Sequence, residues 1–304
     1  MVTMLVGTGA GLFEFADGEV AATRLAGHAV GALADDEGGW WAIVDGDQVW
    51  HGGTDGQGWR LEATADQRLM CLASTPADVI VGTAGAHLLR LADGRLEPIE
   101  GFDGVAGRDQ WYTPWGGPAD TRSLAHDGAE TTYANVHVGG IVASVDAQRS
   151  WHPTSIDIHA DVHQVLAAAA PDVVLAACAE GLAVSTDAGD TWRIDDEGLH
   201  AAYSRAVAVA GDTVVISAST GPGGERSGLY RRPLGGAGPF ERCLRGLPPW
   251  FEKNIDTGCL VARGDTVAFA AGDGSIFVSA DGGASFDEVA SGPDGVMCLA
   301  LVDE

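Results

Sequence analysis

The chain has 304 residues, 46% of them hydrophobic and 44 of them glycine, enough for a full core with many tight turns. Acidic side chains outnumber basic ones 43 to 17, and the formal net charge of −26 sets phosphate backbones and anionic bilayers against it. No nucleic-acid partner and no membrane partner is therefore expected. Lys253 is the only lysine, so nearly all the positive charge is guanidinium.

The first residues, Met1-Val2-Thr3-Met4-Leu5-Val6-Gly7, carry no basic stretch and no long apolar stretch, which argues against a signal peptide. No run approaches the roughly 18 apolar residues of a membrane span. Cys71, Cys178, Cys243, Cys259 and Cys298 are odd in number and lack CxxC spacing, which argues against a disulfide framework and a zinc site. They read as small buried hydrophobes of a reducing compartment, and the expected location is the cytoplasm.

Helical periodicity is scarce, and short apolar runs recur between Gly, Asp and Pro. In chain order a first-strand pattern begins at Val30, Leu69, Arg122, His163, Arg205, Gly258 and Met297. The spacing is about 40 residues, stretched to roughly 52 before Arg122 and Gly258, close to one propeller blade per repeat. Second strands follow at 78–82, 172–176, 212–216 and 265–269, and a third at 181–185. The last apolar run, 296–302, has no second strand after it, and Met4-Leu5-Val6-Gly7-Thr8 reads as a second strand with no first. Joining them completes one blade. The predicted fold is all-β, a seven-bladed β-propeller whose first blade is closed by both termini, with residues 1–304 forming a single domain. Gly7-Thr8-Gly9-Ala10-Gly11 has the look of a phosphate loop, but no Lys-Ser/Thr and no helix follows, so it reads as a turn.

Ser185-Thr186-Asp187-Ala188-Gly189-Asp190-Thr191-Trp192 fits Ser-x-Asp-x-Gly-x-Thr-Trp throughout, and Ser279 to Phe286 fits with Ser285 and Phe286 in the last two places. Ser144 to Trp151 has lost the glycine, and Thr54 to Trp59 is a degenerate echo. These segments resemble the Asp boxes of BNR-repeat, sialidase-like propellers. The resemblance implies a structural hairpin in which the Asp caps the turn, the Gly takes a positive φ and the aromatic packs between blades. The segments 115–118, 135–140 and 161–164 also resemble a bacterial subgroup of BNR-repeat proteins labelled as glycosyl-hydrolase-like.

In a propeller, the loops entering first strands and those joining second to third strands share one face. On that rule Arg122, His163 and Arg205 open three consecutive blades, with Asp120, Asp161, Tyr203 and Asp256 two residues before a first-strand start. Asn135, His137, Glu180, Glu225 and Arg226 fall in second-to-third loops, and two insertions bring Trp111, Tyr112, Trp115, Trp250 and Phe251. Charge, length and aromatics thus collect on blades four to seven. The expected ligand is a small anionic or glycan molecule at the channel mouth, since Arg is the usual fork for carboxylate or phosphate. The competing reading has Arg122 and Arg205 pairing with Asp120, Asp161 and Asp256 to staple blades.

Catalysis stays open. The sialidase resemblance implies a three-Arg cluster, for which Arg122, Arg205 and Arg226 are available, a Tyr nucleophile (Tyr203 or Tyr112) and a carboxylate (Glu225 or Asp120). The family's Arg-Ile-Pro segment is absent, and those enzymes are usually six-bladed. Metal-assisted hydrolase or lyase chemistry is a second option. His159, Asp161 and His163 alternate on one strand and His137 lies on the next blade, an N/O donor set whose occupancy the sequence leaves undecided. No metal and no cofactor is assigned. The non-catalytic alternative is a scaffold or assembly-factor propeller that binds a protein partner. The chain is expected to be a monomer.

Overall fold

Runs of Val, Ile, Leu and Ala between Gly- and Asp-rich turns favour short pleated strands. The computed structural model describes residues 2–54, 58–236, 238–292 and 295–302. Its strands form seven four-stranded sheets, a seven-bladed β-propeller. Blade one holds Val296–Val302, Thr3–Thr8, Gly11–Ala16 and Glu19–Arg24, in that order. Blades two to seven open with Val30–Asp36, Leu69–Ser74, Thr121–His126, Val162–Ala167, Val207–Ala210 and Leu260–Arg263. These are the predicted first strands, and the predicted closure by both terminal strands is present. Among the described residues no helix is long and apolar enough to cross a membrane.

The chain divides into two compact units, one of Met1–Gly27, Ala177–Ala183 and Ile194–Glu304, the other of His28–Ala176 and Val184–Arg193. In the first unit, Thr3–Thr8 pairs antiparallel with Val296–Val302 from Thr3↔Val302 to Thr8↔Val296. Met4, Val6, Phe15, Leu299 and Leu301 then pack with Ala268, Ile276 and Val278 of blade seven. A second core there is aromatic. Phe269, fully buried, stacks on Phe277 at 5.0 Å and meets Phe251 and Phe286 edge-on at 5.5 and 5.4 Å.

In the second unit, the first strands of blades two, three and four share one irregularity. The register slips between Val30 and Ala32, between Leu69 and Cys71, and between Thr121 and Ser123. Gly31, Met70 and Arg122 are the extra residues of these bulges. The insertion before blade four is not a free flap. It folds into a short helix, Glu100–Asp103, and a 3₁₀ turn, Arg108–Gln110. Phe102 is buried between Trp111 (5.7 Å) and Trp151 (5.4 Å), so Trp111 belongs to the core and not to a pocket wall.

The Ser-x-Asp turns act as hairpin clips. Asp187 accepts from the Thr191 N–H at 2.8 Å and the Thr191 hydroxyl at 2.6 Å, while Ser185 Oγ accepts from the Gly189 N–H at 2.8 Å. Asp281 repeats the pattern on Ser285 at 2.8 and 2.7 Å. Gly189 and Gly283 supply the positive φ (+98° and +81°). In the third turn Gln148 takes that place at φ +61°, and its buried amide donates to Thr132 Oγ1 at 3.0 Å. Of the fourth segment, Asp55, Gly56 and Gln57 lie outside the described residues.

Two outcomes follow from this packing. Phe269→Ala is expected to cost about 3–5 kcal/mol in urea unfolding, the range for deleting a buried aromatic. Hydrogen bonds from the Ser285 hydroxyl and N–H and from Ser279 hold the Asp281 carboxyl down at about 2, against 3.8 when unperturbed. A depressed carboxylate stabilises the fold above its unfolded pKa and loses that contribution as pH falls through the folded one. Asp281→Asn should therefore melt below the parent protein at neutral pH, with the gap closing between pH 3.8 and about 2.

Candidate functional site

In the second unit, blade four's second strand, Thr132–Val136, ends in a turn with Val138 and Gly140 at positive φ. That turn holds His137, whose N–H donates to the Asp120 carbonyl at 2.9 Å. Blade five is entered through a 3₁₀ turn, Ile158–Ala160, with the His159 N–H donating to the Asp157 carboxylate at 2.9 Å and Asp161 closing it at φ +52°. This turn breaks the strand alternation expected across 159–163. His159 goes instead to the Tyr112 hydroxyl, at 3.2 Å. Asp161 and His163 stay together, and His137 joins them. His137 Nε2 is 2.8 Å from Asp161 Oδ1, and His163 Nε2 is 3.6 Å from Oδ2. Both imidazoles are buried and the Asp161 side chain keeps 21% of its exposure. Burial works to raise the Asp161 carboxyl, but hydrogen bonds and charge from His137 and His163 outweigh it and hold the group well below the usual carboxylate range. Trp115, 70% exposed, lies over the His137 ring at 4.9 Å.

Asn135 and Asp120 make contacts that tie the fold together. Asn135 is not a loop residue: it sits inside the second strand, fully buried, and its amide donates to the Val162 carbonyl at 3.0 Å. Asp120 accepts from the Gly85 N–H at 3.1 Å and ties down the neighbouring turn. Arg122 is half-buried at its bulge, so simple alternation from Asp120 does not apply to it. Its charge reaches Cys71, whose thiol burial nevertheless pushes up to about 12.

In the first unit, Arg205 takes the stapling role. Its guanidinium donates to the Asp256 carboxylate and to the Tyr203 hydroxyl at 3.3 Å, lying 5.5 Å over the Tyr203 ring. A different arrangement surrounds Trp250. The Arg226 guanidinium is 4.7 Å from the indole centroid and that of Arg242 is 3.4 Å away, while the His200 ring is 4.5 Å off. His200 Nδ1 lies 2.7 Å from the Tyr230 hydroxyl. Among the described residues neither Arg226 nor Arg242 pairs with a carboxylate, and Arg242 Nε is buried with no hydrogen-bond partner. Burial pushes the His200 imidazolium below its ordinary range, with the charges of Arg226 and Arg242 adding to it and the Arg226 carbonyl opposing. Glu225 is exposed, and its carbonyl accepts from Thr220 Oγ1 at 2.8 Å, fixing the loop. Glu180 is exposed in its turn.

Sequence reasoning found Arg226 and Trp250 but not Arg242, His200 or Tyr230. In the structure Tyr230 and Arg242 face each other across the third and fourth strands of blade six, a register the sequence does not display.

No family model matches the sequence, and no curated protein matches it. Solved structures do. The GH74 enzyme of Niastella koreensis is 12% identical with a TM-score of 0.61, covering 93% of this chain and 46% of that one. The GH74 xyloglucanase of Xanthomonas campestris is 14% identical with a TM-score of 0.59, covering 94% and 46%. BamB from Moraxella catarrhalis is 13% identical with a TM-score of 0.53, covering 94% and 82%. The chain spans under half the length of either GH74 enzyme. At these identities the likeness is one of fold.

The Asp256 side chain is 54% exposed, so solvent screens its pairing with Arg205. A double-mutant cycle on Arg205→Ala and Asp256→Ala is expected to give a coupling below about 1 kcal/mol, as for other exposed pairs.

Proposed function

We propose that this chain is a BNR-repeat, Asp-box propeller of the cytoplasm, acting as a monomer that binds a small anionic or sugar-like ligand through Arg226, Arg242 and Trp250. One observation carries the reading: two guanidinium groups gather on one indole with no carboxylate paired to them among the described residues, in a chain of net charge −26. Acidic side chains are plentiful, so leaving two arginines without one keeps their forks available to a carboxylate or phosphate. The indole holds the cations by cation–π attraction and offers apolar surface to a sugar ring. His200, kept towards its neutral form, adds a polar group beside the anion without adding charge. The clipped Ser-x-Asp turns support the Asp-box assignment, and the five buried cysteine thiols suit a reducing compartment. The GH74 enzymes among the neighbours share the fold at 12% and 14% identity and assign no glycoside chemistry to this chain.

The test is calorimetric titration with sialic acid, glucuronate, galacturonate and inorganic phosphate. At least one should bind the parent protein, and Arg226→Ala/Arg242→Ala should weaken it by about tenfold or more, the cost of losing a charge-assisted hydrogen bond. Arg122→Ala, run beside it, should bind as the parent does. Equal binding by the double variant removes the assignment to these arginines. Failure of every acid to bind, with recovery of one stoichiometric protein partner, establishes the scaffold alternative instead. Turnover of a fluorogenic glycoside by the parent protein would extend binding to catalysis.

A further inference from the structure

The anion reading makes no use of the two buried histidines of the second unit. Buried imidazoles of blades four and five bring their ε-nitrogens to one carboxylate, at 2.8 and 3.6 Å, and the donor atoms of all three groups lie within 4.8 Å of one another. We propose that His137, Asp161 and His163 form a binding site for one divalent first-row transition-metal ion, with coordination positions left open to water or a small anion.

The donor chemistry selects the ion. Two imidazole nitrogens and one carboxylate suit Zn²⁺, Co²⁺, Fe²⁺ or Mn²⁺, whereas Mg²⁺ and Ca²⁺ favour oxygen throughout. Bonds of about 2.0–2.2 Å put neighbouring donors about 3–4 Å apart, so the 3.6 Å contact already fits, the 2.8 Å contact opens slightly on binding and the widest pair closes by about 1 Å. The protein holds each donor from a different local device. His137 sits at the end of a strand, fixed by its N–H to the Asp120 carbonyl. Asp161 is set by the left-handed end of the 3₁₀ turn, and His163 by the first strand of blade five. Asp161, the only partly exposed member, marks the route of entry, and three protein donors leave room for an exchangeable fourth. The alternative is a carboxylate held between two imidazoles as a purely structural network, with no affinity for metal.

Chelator-stripped protein is titrated with Zn²⁺, Co²⁺ and Mn²⁺ by calorimetry, and Co²⁺ is also followed by its visible absorption and by quenching of Trp115, which covers the His137 ring. The expected result is one ion per chain, tighter for Zn²⁺ than for Mn²⁺, a rise in Tm with Zn²⁺, and tryptophan quenching by Co²⁺ that Trp115→Phe reduces. Asp161→Asn should weaken Zn²⁺ binding by more than about tenfold, since even residues behind the ligands cost that much. Asn tolerates the left-handed backbone at this position, so the variant retains the turn. His137→Gln should weaken binding in the same way, and His28→Gln, at an exposed imidazole, should not. Absence of saturable binding overturns the proposal, as does Asp161→Asn binding Zn²⁺ like the parent. Should either site variant fail to fold, the Co²⁺ spectrum and the Trp115 quenching decide alone: no nitrogen-ligated Co²⁺ band and no quenching rejects the site.

Discussion

Pairing of the strand 296–302 with 3–8 is the constraint on which the first unit rests. Six antiparallel pairs join segments from opposite ends of the chain. Closing so long a loop costs entropy that grows only slowly with length, while the gain is a whole sheet with its inner strand covered. Its hydrophobic yield is visible in the shared core of Met4, Val6, Leu299 and Leu301 with Ile276 and Ala268. Without that pairing, blade one would present two unpaired edges, and the neighbouring face of blade seven would lose its cover.

Much of the fold was legible because propeller strands announce themselves locally. Runs such as Leu69-Met70-Cys71-Leu72 and Val296 to Val302 combine apolar side chains with Gly and Asp at their ends, and their repeat spacing fixes the architecture. The site was less legible because it depends on departures from regular geometry. The 3₁₀ turn 158–160 sends His159 to Tyr112 and leaves Asp161 with the two buried histidines. Asn135 reads as a loop residue only if its strand stops early; the strand runs to Val136. Arg242 and His200 lie outside the first-strand heads, second-to-third loops and insertions that sequence reasoning drew on, and their partner Trp250 arrives from an insertion whose path the sequence does not specify.

Several arginines are neutralised by a neighbouring carboxylate. Arg24, Arg90, Arg205 and Arg232 each meet a carboxylate within 3.3 Å, as expected where acids are in excess. Arg226 and Arg242 share one indole and, among the described residues, meet no carboxylate. On the proposed ligand reading, this pair offers positive charge to an anion inside a chain of net charge −26. On that reading, long-range repulsion selects small, weakly charged anions, and salt should assist their association rate by screening the outer field.

The bulge at the head of the first strand recurs with Gly31, Met70 and Arg122 in the second unit, and Met297 occupies the same extra position against Gly7 and Thr8 in the first. Glycine, methionine and arginine share the position because an inserted residue owes nothing to the hydrogen-bond ladder on either side of it. The frame is conserved within the molecule while the side chain is left unconstrained by pairing. Four blades therefore carry a socket whose side chain can be exchanged without re-registering a strand, so single substitutions there can change surface chemistry while the fold is held fixed.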